Sequence, residues 1–168
     1  MRYVMIVVAV LIGLVLIVAI TGAVLPVKHR VTREATYRAT PAQLFALISN
    51  ISDYPSWQPA VTKVEVLPDV DGKPQLRETN GGTAITYVLE EIVPDQRMVS
   101  RVADPGLPFG GSWTYELIPR GDATTLRITE NGEVYNVFFR FVSRFIMGQS
   151  ATIEKYLRAV GTRFPELS

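Results

Sequence analysis

The chain has 168 residues, 48% of them apolar, with no cysteine, a single histidine and a formal net charge of +1. The length suits one domain plus an added segment. The absent cysteines exclude disulfide scaffolds, thiolate zinc sites, iron–sulfur clusters and cysteine nucleophiles, and the lone His29 excludes histidine-rich metal sites. From Val31 onward the chain carries 14 basic and 16 acidic residues, so the overall +1 does not describe a basic domain and strong nucleic-acid binding is not expected.

Tyr3 to Leu25 runs 23 residues without a charge. About 20 helical residues at a rise of about 1.5 Å each span the hydrocarbon core of a bilayer. Gly13 and Gly22 are compatible with a transmembrane helix. A cleaved signal peptide is the rival reading, but its apolar region is shorter, roughly 7–15 residues, and Thr21-Gly22-Ala23 is a poor cleavage site. The expectation is a single-pass anchor in the cell membrane, contacting the bilayer through residues 3–25. Lys28, Arg30, Arg33 and Arg38 follow the span, against Arg2 and the α-amine before it. The positive-inside rule then places the domain on the cytoplasmic side, with the opposite topology open. Residues 1–29 read as anchor and connector, and residues 30–168 as one domain without repeats or a second linker.

Within that domain the first strand is predicted near 30–38. Thr40-Pro41-Ala42-Gln43 opens a helix: Thr40 caps, Pro41 suits the first turn, and Gln43 completes a capping box. Leu44, Phe45, Leu47 and Ile48 form its buried face. Asp53 to Pro59 is a turn with a short helix that Asp53 is expected to cap. Six strands follow near 60–67, 74–80, 83–93, 96–103, 111–119 and 123–134, separated by Asp71-Gly72, Gly81-Gly82, Pro94-Asp95, Pro105-Gly106 and Gly121-Asp122. Ile85, Tyr87 and Leu89 share one face of a strand, as do Trp113, Tyr115 and Leu117 of another. Consecutive hairpins imply a curved antiparallel sheet with one face to be covered. The predicted cover is one long helix, about Asn136–Phe164. Its stripe is Phe139, Val142, Ile146, Ile153, Leu157, Val160 and Phe164, with Arg140, Arg144, Lys155 and Arg158 opposite and Pro165 as the stop.

Little in this pattern reads as catalytic machinery. His29 lies between anchor and first strand and reads as a solvated basic flank. Glu90-Glu91 and Asp69-Asp71 read as solvated edges and turns, because adjacent strand residues face opposite sides. Gly81-Gly82 and Gly110-Gly111 lack the spacing and following lysine of a phosphate loop. Trp57, Tyr87, Phe109, Trp113 and Tyr115 are the aromatics expected to face inward. For each alone, ordinary core packing is the simpler role; together they suit a pocket lined by apolar groups. Glu130 shares the parity of Leu126 and Ile128 and is expected to point inward with them, the alternative being a bulge before Asn131-Gly132 that turns it outward. Gln149-Ser150 interrupts the helical stripe between Ile146 and Ile153, as a ligand contact or as a buried amide bonded to nearby backbone. Glu130 and Gln149 are expected to approach each other across the cavity. No metal or cofactor is expected.

Five segments carry a resemblance: Pro41 to Ile48, Tyr54 to Trp57, Leu107 to Leu117, Ile128 to Asn136, and Phe139 to Phe141 through Gly148 to Ile153. They resemble the START-like superfamily, also called SRPBCC or the polyketide cyclase/dehydrase and lipid transport group, and its membrane-anchored bacterial branch. The resemblance implies an α+β helix-grip fold, a curved seven-stranded antiparallel sheet around a long C-terminal helix with a hydrophobic cavity between them. Val137 departs from the proline often found at that position, so the kink it would impose is absent there. The functional expectation is non-catalytic binding of a hydrophobic small molecule or lipid. The alternatives are a cyclase, aromatase or hydratase using the same cavity, and a protein-interaction module without ligand. The expected cavity residues are Trp57, Tyr87, Phe109, Trp113, Tyr115, Glu130, Gln149 and Ile153.

Overall fold

The computed structural model describes residues 1–167. Helix α1 (Arg2–Val24) is uncharged beyond its first residue and almost wholly exposed, with Gly22 its one buried residue. Strand β1 (Lys28–Tyr37) follows, then α2 (Pro41–Ser49), a 3₁₀ turn at Ile51–Asp53 and α3 (Tyr54–Trp57). Six strands come next: β2 (Val61–Val70), β3 (Lys73–Asn80), β4 (Thr83–Val93), β5 (Arg97–Val102), β6 (Phe109–Arg120) and β7 (Ala123–Val134). The chain closes with α4 (Val137–Val142), a π-helical turn at Ser143–Met147, α5 (Ala151–Gly161) and β8 (Glu166–Leu167).

The capping box of α2 forms as the residues dictate. Gln43 N–H donates to Thr40 Oγ1, and Thr40 N–H donates to Gln43 Oε1 at 2.9 Å. Asp53 stands at the N-cap of α3, but its side chain makes no capping bond there. The hairpin turns carry the expected residues. Asp71 and Gly72 both take positive φ, 52° and 73°, as the tight turn between twisted strands requires.

All strand pairs are antiparallel, in the order β2-β3-β4-β5-β6-β7-β1-β8. The sheet has eight strands rather than seven. The last helix ends at Gly161, short of the expected Phe164 and four residues before Pro165, and Glu166 and Leu167 then return beside Tyr37 and Thr36. The inner face of the sheet carries Leu76, Ile85, Leu89, Met98, Tyr115, Leu117, Leu126 and Ile128, all buried. Ile153, Tyr156, Leu157 and Val160 of α5, with Leu44 and Ile48 of α2, complete that core.

The expected continuous helix over 136–164 does not form. Asn136 caps α4, its Oδ1 accepting from the Phe138 and Phe139 amides at 2.9 and 3.1 Å. The helix then widens into the π turn and breaks at Gly148, whose φ of 77° and ψ of 128° suit glycine. Only the second half of the predicted stripe is buried: Ile153, Leu157 and Val160 are in the core, while Phe139 and Ile146 are exposed. The gap of seven between Ile146 and Ile153 therefore marks a break in the helix.

Candidate functional site

Between the sheet and α5 lies a cavity of about 470 Å³, lined mostly by apolar side chains. The alternation of β4 and β6 turns Tyr87, Trp113 and Tyr115 into it, and Phe109 lines one end. Glu130 joins them from β7, directly opposite Trp113 in the β6–β7 register. These five expected cavity residues line it together. Trp57, Gln149 and Ile153 do not. Trp57 is buried one layer behind, its ring edge-on to Tyr54 and Tyr156 at centroid distances of 5.0 and 5.5 Å. Ile153 of α5 is fully buried in the core.

Gln149 lies in the Gly148 turn and accepts from Arg144 Nη1 at 3.2 Å. It belongs to a separate open depression with Arg30, Arg33, Arg144 and Ser150. The expected meeting of Glu130 and Gln149 therefore does not occur within the cavity. It rested on one helix carrying Gln149 on the same stripe as Ile153, and the break at Gly148 removes that registry.

Several cavity residues lay outside the sequence reading. Glu78 projects from β3 beside Leu76 and Asn80, and Tyr54 and Tyr156 contribute from the helical side. Tyr54 O–H donates to the Ile48 carbonyl at 2.7 Å and so accepts from the Tyr156 hydroxyl at 3.0 Å. Tyr156 also stacks edge-on against Trp113 and tilted against Tyr115, which ties the helix to the sheet through aromatic contacts. The alternation Leu76-Glu78-Asn80 and the three-residue step from Ile153 to Tyr156 were the available signals.

His29 corrects a further expectation. Pairing of β1 with β7 begins at Lys28↔Glu133, so His29 is part of the sheet opposite Gly132. Its side chain is 13% exposed and lies 3.6 Å from the Glu130 carboxylate, itself 21% exposed. A Cβ on Gly132 would collide with the imidazole, so glycine at that position makes room for the ring. The outer carboxylates behave as read. Glu90 pairs with Arg101 at 2.6 Å and Glu91 with Arg97 at 3.0 Å on the exposed side.

The electrostatics of the cavity follow from burial. Desolvation disfavours a charged carboxylate, and it pushes both Glu78 and Glu130 up to about 7. The Trp113 side chain, facing Glu130 across the β6–β7 pair, offsets part of that rise. Burial lowers His29, and the charge on Arg144 lowers it further. A neutral imidazole thus faces a carboxyl that is close to half protonated at neutral pH. Buried hydroxyls of Tyr54, Tyr115 and Tyr156 stay protonated, because burial drives all three upward. The interior therefore offers apolar walls, proton-bearing hydroxyls and two carboxyls able to switch between donor and acceptor. No cluster of metal-ligating side chains exists among the described residues.

A curved antiparallel sheet closed by a C-terminal helix over a hydrophobic cavity is the helix-grip architecture. The chain belongs to the family described as Polyketide cyclase / dehydrase and lipid transport, which matches residues 28–163. Among solved structures it is similar to a START superfamily protein from Mycobacterium smegmatis, at 19% identity and a TM-score of 0.65, covering 80% of this chain and 96% of that one. It is also similar to the Zhui aromatase/cyclase from a Streptomyces species, at 14% identity and a TM-score of 0.62, covering 81% and 96%. The di-domain ARO/CYC StfQ of the steffimycin biosynthetic pathway aligns at 13% identity and a TM-score of 0.64, and this chain spans half of its length. At these identities the likeness is one of fold. No curated protein sequence matches the chain significantly.

Proposed function

We propose that the chain is a membrane-anchored protein that binds a hydrophobic small molecule or lipid in the cavity between sheet and α5. The observation that carries this reading is the cavity itself. Its volume of about 470 Å³ lies within the roughly 300–1,000 Å³ typical of small-molecule sites, and a few polar groups converge in an apolar lining. Membership in a family described by cyclase, dehydrase and lipid transport supports the same class of ligand. Helix α1, long and apolar enough to cross a membrane, supports the anchor. The division into anchor and connector, residues 1–29, and binding domain, residues 30–168, is part of the proposal, with β1 reaching back to Lys28. The basic residues after α1 favour a cytoplasmic domain.

The chain has two tryptophans, and Trp113 lines the cavity while Trp57 does not. Titration of the full chain in detergent with a fatty acid brominated on its acyl chain is expected to quench fluorescence saturably. Trp113→Phe is expected to abolish that saturable component. Quenching that grows linearly, or survives in the variant, would contradict binding in this cavity.

A second reading is a cyclase-type enzyme in the same cavity. It is favoured by Glu78 and Glu130, each held at about 7, where a carboxyl serves well as general acid or base at neutral pH. Turnover of a polyketide-like substrate lost in both Glu78→Gln and Glu130→Gln would establish it, and binding without turnover would reject it.

A further inference from the structure

The segment from α4 through the π turn has no counterpart in the core. Phe138, Phe139, Phe145, Ile146 and Met147 are exposed, with Phe145 at 59%, Ile146 at 71% and Met147 at 60%. Six consecutive residues of α4 bury none of their number. A contiguous apolar patch of this kind on a folded domain marks an interaction surface.

What lies beside the patch identifies its partner. Helix α4 packs against α1. Gly22 is the point of closest approach: a Cβ there would collide with the Val137 carbonyl. Arg140 Nη1 donates to the Leu25 carbonyl at 2.8 Å, so a cation sits on the C-terminal end of α1, where the helix dipole favours one. Gly22 stands two residues before the last residue of α1, about 3 Å along the axis. Val137, the first residue of the apolar segment, is therefore level with the last turn of α1. Arg30, Arg33 and Arg144 line a separate open depression that also holds Gln149 and Ser150, just beyond the π turn. The charge of Glu154 beside Arg33 offsets one of these three.

We propose that residues 137–147 form an in-plane membrane element. Their aromatic and aliphatic side chains enter the interfacial layer of the bilayer that holds α1, and the arginines meet anionic headgroups. Phe139 and Met147 line the cavity and are also exposed, which puts its mouth at this element. The cavity then opens into the bilayer, and its ligand is a membrane lipid that enters without crossing water. The docking of residues 137–147 rests on the anchor reading of α1 alone; this last step rests also on the ligand-binding reading above.

The chain has no native cysteine, so single labels are placed cleanly. Nitroxides at Phe145→Cys, Ile146→Cys and Met147→Cys are compared with one at Val66→Cys, which is exposed on the edge strand β2 far from β1 in the sheet order. The full chain is reconstituted in vesicles of phosphatidylcholine and phosphatidylglycerol. Collision with oxygen is expected to exceed collision with a water-soluble nickel chelate at 145, 146 and 147, and the reverse at 66. All four replaced side chains are exposed, so the variants are expected to fold. Nickel accessibility at 145 to 147 equal to that at 66 would overturn the proposal. Shielding from both reagents, or spin–spin broadening between copies, would also overturn it by showing a protein partner. The depth readout needs no bound ligand. Immersed labels with Trp113 unquenched by brominated lipid would uphold the membrane docking and refute the ligand-binding reading.

Discussion

Replacing Glu130 by glutamine keeps the shape of the side chain and removes its charge. The carboxyl is held at about 7 against an ordinary 4.5, chiefly by burial. At about 1.36 kcal/mol per pH unit, the ionised form in the folded protein costs about 3 kcal/mol. The folded state keeps its proton to higher pH than the unfolded state. Between pH 4.5 and 7 it therefore binds more protons, and the parent loses stability as pH rises through that window. The glutamine variant lacks this loss. Thermal unfolding of both proteins, followed by near-ultraviolet circular dichroism in one detergent, is expected to show the variant gaining on the parent from pH 4.5 upward. Above pH 7 the gap levels off at about 3 kcal/mol, or roughly 10 °C for a domain of this size. His29 is lowered by its own burial and acts in the opposite sense below 6.5, and because it lies 3.6 Å from the carboxylate the comparison is repeated in a His29→Ala background to remove its contribution. A difference that stays flat from pH 4.5 to 8 would refute the claim that Glu130 is a desolvated cavity carboxyl.

Gly132→Ala is expected to cost about 1–2 kcal/mol in the parent through overpacking against the His29 ring, and less in a His29→Ala background, as a double-mutant cycle in denaturant measures. Tyr156→Phe removes the proton donated to Tyr54 and is expected to lower stability by about 1 kcal/mol in the same assay. Gly148→Ala forces a side chain into a backbone conformation that suits glycine and is expected to cost about 1–3 kcal/mol by chemical denaturation. Carbonate extraction is expected to leave the chain in the membrane pellet at full mass, and a soluble form shortened by about 25 residues would show a signal peptide instead.

The sheet was legible because each strand carries its own signal. Ile85-Tyr87-Leu89 and Trp113-Tyr115-Leu117 alternate, and Asp71-Gly72 and Gly81-Gly82 are residues that suit tight turns. Parity alone put Glu130 on the inner face, and it lines the cavity. The C-terminal helix was misread for a physical reason. Apolar steps of three and four report that a segment has an apolar face, and they do not say what that face meets. Phe139 and Ile146 continue the stripe of Ile153, Leu157 and Val160, yet Gly148 breaks the helix between them, and α4, which carries Phe139, lies beside α1. His29 was placed outside the domain because it follows the anchor so closely. Its burial depends on Gly132 of β7, a contact across more than a hundred residues that no local pattern reports. Glu78 was within reach, since it shares its face with Leu76, but it lies in a strand rich in polar residues.

Native mass spectrometry of the full chain, released from its own membrane in mild detergent, tests the central claim most directly. The expected spectrum contains a population heavier by one lipid per chain. That population is expected to shrink when Val102→Trp fills part of the cavity from β5. A spectrum holding only the bare chain, or an adduct distribution unchanged by that substitution, would contradict the account of this cavity as a lipid-binding site.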